Sequence, residues 1–162
     1  MISTMQSIDN LLNPLRKLSN MVAVPLYDLG IRVFVALVFF KSGMLRFQDH
    51  LNGSWDNQLY VFEYEHPVPG IPAEISSVMA TGGELVLPIL LILGLFGRFA
   101  AAGLLIMTLI IELTYQSSLH HTLYFFLLGS TFLRGPGCLS VDALMLKMIR
   151  KQTSENETSS QD

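Results

Sequence analysis

Five ionisable residues, Asp28, Arg32, Lys41, Glu84 and Glu112, lie within runs otherwise apolar enough to dissolve in lipid. Such a group costs about 2.5 to 3.5 kcal/mol at the centre of a membrane helix, so these side chains are expected to face a bundle interior and a partner. Asp28 and Arg32, spaced i, i+4, can pair along one helix face. At ~1.5 Å per residue, Arg32 and Glu84 fall roughly 10 and 16 Å in from the same membrane face, a gap an arginine spans. Lys41 and Glu112 fall at about 24 and 20 Å. The expected pairs are therefore Arg32 with Glu84 and Lys41 with Glu112. Two readings follow: a polar network that fixes how the helices pack, or a pocket for a quinone head group, a proton or an ion. In the second, cations polarise the quinone oxygens and a carboxylate relays protons. The small residues of "ATGG" before Glu84 let another helix approach, and Pro88 frees a carbonyl nearby.

The histidines form a second constellation: His50 and His66 in the loop after the first apolar run, and His120 and His121 in a later turn. Imidazoles with loop carboxylates suit copper or zinc, but the spacing matches no metal motif, so a metal ranks behind the quinone. Cys138 is the only cysteine, which excludes an intramolecular disulfide and an internal dithiol cycle. No nucleophile with its base and no phosphate loop is present, so no residue is assigned to catalysis.

The elements that must position these groups are membrane helices. Of 162 residues, 51% are hydrophobic and 14% charged, where a soluble domain carries about 25% charged. Spans are expected near 24–45, 75–96, 99–117 and 121–133, giving an all-α four-helix transmembrane bundle. The net charge of −3 and scattered basic residues exclude a nucleic-acid partner. The loop after the first span carries Asp49, Asp56, Glu63, Glu65 and Glu74 with no lysine or arginine from Gln48 to Glu74. Arg16, Lys17, Arg98, Lys147, Arg150 and Lys151 flank the opposite ends, so an N-in, C-in orientation is expected.

Residues 1–23 lack the features of a cleaved signal and are read as a cytoplasmic interfacial segment, its helix over Ser7 to Leu18 broken by Pro14. Residues 24–151 form the membrane domain. Near 140–151 a short amphipathic helix is expected, with Ser140 as cap, Asp142 in its first turn, and Leu144, Met145 and Met148 opposite Lys147, Arg150 and Lys151. Residues 152–162 are expected to be disordered. Trp55, Tyr60, Phe62 and Tyr64 suit an interfacial anchor.

The stretches "RVFVALVFFKSGMLRF", "GGELVLPILLILGLFGRFAAAGLL" and "RGPGCLSVDALM", in this order, resemble the DoxX family of small four-helix bacterial membrane proteins. Arg32, Gly43, Glu84, Gly94, Arg98, Gly135, Gly137 and Asp142 match its pattern, and Arg46 stands where the family often has lysine. The resemblance implies a multi-pass inner-membrane subunit of a redox or oxidative-stress system, with other membrane redox proteins as partners. A homo-oligomer is compatible with it. The stretch from Phe62 to Pro88 also resembles members associated with the maturation of small metal-binding secreted peptides. The alternatives are a module handling a metal, peptide or solute, and an assembly scaffold whose charges are structural.

Overall fold

The computed structural model describes residues 12–114 and 118–159, with side chains through Ser154. Among them there is no strand. Helix α1, Val24–Leu51, is the main part of a continuous 40-residue helix, Leu12–Leu51. Pro14 lies within this helix, and the Ser7 side of the expected break falls among residues that are not described. Residues 1–11 lie outside the described part. Pro25 has no N–H to offer the preceding turn. The ladder widens there into a π-helical stretch, Ser19–Ala23, with the amide of Val24 donating to the carbonyl of Ser19.

A short helix α2, Trp55–Tyr60, continues into a π-helical turn, Val61–Glu65, so the acidic segment expected as a loop is partly helical. Helix α3, Ala73–Leu93, ends at Gly94, whose φ of 66° gives the left-handed cap that glycine adopts without steric cost. Helices α4, Gly97–Thr114, and α5, Leu119–Arg134, follow, and α6, Val141–Ser159, leaves the bundle. The last helix runs past the end expected near residue 151. The hydroxyls of Thr153 and Ser154 bond back to the carbonyls of Ile149 and Lys151, so the polar sequence keeps a helical backbone as far as Ser159.

The packed faces follow a near-heptad seam. On α1 the buried residues include Arg32, Ala36, Phe39 and Gly43; on α3, Ser77, Thr81, Glu84, Pro88 and Leu91; on α4, Gly97, Ala101, Leu104 and Thr108. Alternating steps of three and four residues keep one face inward, as antiparallel helices packed at a shallow angle require. The principal packing is α1 against α3 and α4 against α5, with α3 on α4 and α1 on α5 closing a ring. Val35, Phe39, Leu91, Leu104 and Leu128 fill its centre. Hydroxyls on the seam bond within their own helices, Thr81 to Ser77 O at 2.8 Å and Thr108 to Leu104 O at 2.8 Å, so no polar hydrogen is left to solvate.

The outer faces are apolar, with Phe34, Leu37, Leu113 and Phe126 among many exposed large side chains. A water-soluble monomer does not present so much contiguous apolar surface. Three helices, Leu12–Leu51, Ala73–Leu93 and Gly97–Thr114, are long and apolar enough to cross a membrane. The expected fourth, α5, has 16 residues, or about 24 Å at the helical rise, short of a ~30 Å hydrocarbon core.

Candidate functional site

The buried charges separate into two groups at opposite ends of the bundle. At the end bearing the acidic segment, Arg46 on α1 lies 3.5 Å from Glu84 Oε1 on α3. Glu84 is 1% exposed, and its Oε2 has no hydrogen-bond partner. The close approach comes from Gly43: a Cβ there would meet the Cβ of Glu84 at 2.9 Å and its carbonyl oxygen at 3.1 Å. Pro88 leaves that same carbonyl without its usual helical donor. Of the two glycines before Glu84, Gly83 faces Met107 of α4 and Gly82 faces open space, so neither provides the contact.

Glu84 and Arg46 open onto a cavity of about 350 Å³ between α1, α3, α4 and the segment from Phe62 to Ile71. Its walls include Met79, Leu87, Ile106 and Met107, with His66 as the third ionisable group. Arg46 also stacks over the Phe62 ring at 5.2 Å, which ties the segment to α1. Burial, and after it the nearby Arg46 charge, hold the His66 imidazole below its ordinary range, so it is neutral at pH 7. Met79 and Ile106 are exposed on the bundle's outer face, so the cavity opens sideways toward lipid as well.

At the other end Arg32, 1% exposed, donates to Leu91 O at 3.4 Å and Leu139 O at 2.5 Å. Gly94 leaves room for it, since a Cβ there would sit 2.5 Å from Arg32 Nη1 and 2.4 Å from Ser140 Cβ. Asp142 reaches across to the start of α4 and accepts from the amides of Phe96 at 2.9 Å and Gly97 at 3.0 Å, while its own amide donates to Gly94 O at 3.1 Å. Ser140 caps α6, accepting from the Ala143 amide at 3.2 Å. Asp28 pairs with Arg134 at 3.3 Å beside Gly137, and the Arg98 guanidinium lies over Gly135. Arginines, two carboxylates and three glycines tie α1, α3, α4, α5 and α6 together here.

The expected pairings are therefore revised. Arg32 lies level with Leu91, two turns along α3 from Glu84, and takes carbonyl partners; the depth count started α1 at Pro25, whereas the helix begins before it. Asp28 forms its ion pair with Arg134 while its charge still acts on Arg32. Lys41 lies off the inward seam and is exposed, and Glu112 faces His121 Nδ1 at 3.7 Å. The signal for Arg46 was available: Arg32, Phe39 and Arg46 are spaced by sevens, the period of the buried face. The histidines are not gathered. His50 packs edge-on to Trp55 at 5.0 Å, His120 sits by Ser118, and among the described residues no group of three or more His, Cys, Asp or Glu side chains is placed to hold a metal.

The DoxX family profile matches residues 27–117, more than half of the chain, with most of α1 and all of α3 and α4. The chain belongs to the DoxX family. The matched region of this DoxX protein holds both Glu84 and Arg46, while Asp142 and the turn before it lie beyond it. An uncharacterized protein of Haemophilus influenzae is 36% identical over 81 residues, which cover 48% of each chain. The chain thus spans about half the length of that curated relative. No solved structure matches it.

Proposed function

We propose that this membrane protein holds a lipid-soluble quinone in the cavity beside Glu84 and serves as a non-hydrolytic subunit of a bacterial inner-membrane redox or stress system. The observation that carries the reading is Glu84 itself: a carboxylate buried on an apolar wall, with Oε1 toward Arg46, the Ser42 hydroxyl nearby, and Oε2 outside any close hydrogen bond. The cavity volume of about 350 Å³ suits a ring-sized ligand. Its lateral opening between Met79 and Ile106 favours a ligand that arrives through the bilayer. Arg46 polarises a quinone carbonyl, and Glu84 and His66 hold and pass the protons that accompany two electrons from a partner protein, so that quinone leaves as quinol. Arg46 takes the role first expected of Arg32 and Lys41.

The N-in, C-in orientation is part of this proposal, with the acidic segment outside and the basic end within. A fourth crossing by α5 is supported by Asp142, which returns from beyond α5 to cap α4 at its first residues. The test is extraction of quinone from the full chain purified in mild detergent. Near-stoichiometric quinone, lowered at least tenfold in Glu84→Gln and Arg46→Gln but not in Lys41→Gln, is the expected result. Quinone absent, or equally retained in all three variants, sinks the reading.

A further inference from the structure

At the basic end a groove of about 690 Å³ runs between the start of α4, the turn after α5 and the first turns of α6. Arg98 and Arg134 line it together with Phe96, Phe99, Met145 and Leu146. We propose that this groove binds an anionic phospholipid, its phosphate held by Arg98 and Arg134 and its acyl chains lying on the phenylalanines.

The charges favour an anion. The acid that lines the groove, Asp142, accepts from two backbone amides, and Asp28 behind it faces Arg134. Arg98 is exposed and has no acidic partner among the described residues, and the Arg134 side chain keeps 52% of its surface open despite its ion pair. A guanidinium presents a planar fork of donors that fits phosphate oxygens, and two of them converging on one groove exceed what solvating a lone arginine requires.

The apolar walls favour a lipid over a free anion. Phe99, next to Arg98 in sequence, is 76% exposed, and Phe96 and Leu146 are more than half exposed. Arg98 is the second residue of α4, one of the spans, so cation and aromatic rings sit at headgroup and upper acyl depth respectively. Helix α6 extends the same pattern. Leu144, Met145, Met148 and Ile149 are all exposed along one face, with Lys147, Arg150 and Lys151 on the other. Such a helix lies in the interface of an anionic membrane with its apolar side in the acyl boundary. The groove is where that surface meets the bundle, and there arginines from two different helices face one space.

The full chain in detergent, incubated with mixed micelles of phosphatidylglycerol and phosphatidylcholine and read by native mass spectrometry, tests the assignment. Phosphatidylglycerol retained in preference to phosphatidylcholine is expected, with retention falling about tenfold in Arg98→Gln and partly restored in Arg98→Lys. Arg150→Gln, on α6 away from the groove, leaves retention unchanged, and the lipid-free variants melt like the parent. Equal retention of both lipids overturns the proposal, as does an equal loss in Arg98→Gln and Arg150→Gln, which would mark a diffuse charged surface. Displacement of phosphatidylglycerol by millimolar inorganic phosphate would overturn the lipid in favour of the free anion.

Discussion

Arg32 and Glu84 are buried to the same degree, yet their surroundings call for different roles. Arg32 gives its two terminal nitrogens to the carbonyls of Leu91 and Leu139, which belong to the end of α3 and the turn before α6, and only its Nε is left without a hydrogen bond. Arg32→Gln therefore removes charge-assisted hydrogen bonds that no water can replace, and is expected to lower stability by about 2 kcal/mol, seen as a fall in detergent melting temperature. Retained quinone per folded protein stays unchanged, whereas Glu84→Gln reverses that pattern. His66 adds a pH dependence of defined sign. Its imidazole is held low by burial and then by Arg46, while in the unfolded chain it titrates at about 6.5. Above that pH both states are neutral and His66 contributes nothing; below it the unfolded state binds the proton first, so stability falls with pH until the folded imidazole also titrates. The melting temperature should drop between pH 7.5 and 5.5, and the drop should shrink in His66→Gln. Identical pH curves would remove His66 from the account.

At the scale of elements, Asp142 is a helix cap supplied from another helix. It accepts from the amides of Phe96, just before α4, and Gly97, its first residue, and binds α6 to that start through its own amide. Asp142→Ala is expected to cost about 1 kcal/mol, the usual loss of an N-terminal cap, with faster hydrogen exchange at the Phe96 and Gly97 amides as the local readout. Unchanged exchange there would mean that the cap contributes no protection. Asp142 could be read from sequence as a first-turn residue of α6, but not as the cap of α4, because the acceptor and donors are 45 residues apart. The helices themselves were legible, since apolar length and breakers such as Gly94 act locally. Pairing between helices was not. Depth along a span says nothing about azimuth, and azimuth puts Arg46 on the packed seam and Lys41 off it. The seven-residue spacing of Arg32, Phe39 and Arg46 held that information, while the glycine that admits Glu84 lies on the opposite helix, at Gly43 instead of Gly82 or Gly83.

For the whole molecule, the geometry at the basic end constrains how the chain threads the bilayer. The turn between α3 and α4 touches Asp142 and Ser140 directly, so the residues after α5 lie beside the residues before α4. A chain that leaves that end along α4 must return to it along α5, although α5 has only 16 residues. Local thinning of the bilayer accommodates a short hydrophobic length at a modest cost per ångström, and Arg134 at the end of α5 is placed to snorkel toward the headgroups. The proposed topology then puts Asn57 of α2 outside and the exposed Cys138 inside. In intact cells a membrane-impermeant maleimide should label Asn57→Cys in a Cys138→Ser background and leave native Cys138 unlabelled until the membrane is permeabilised. Labelling of both without permeabilisation would place the two ends of the bundle on one side and overturn the proposed four-crossing thread.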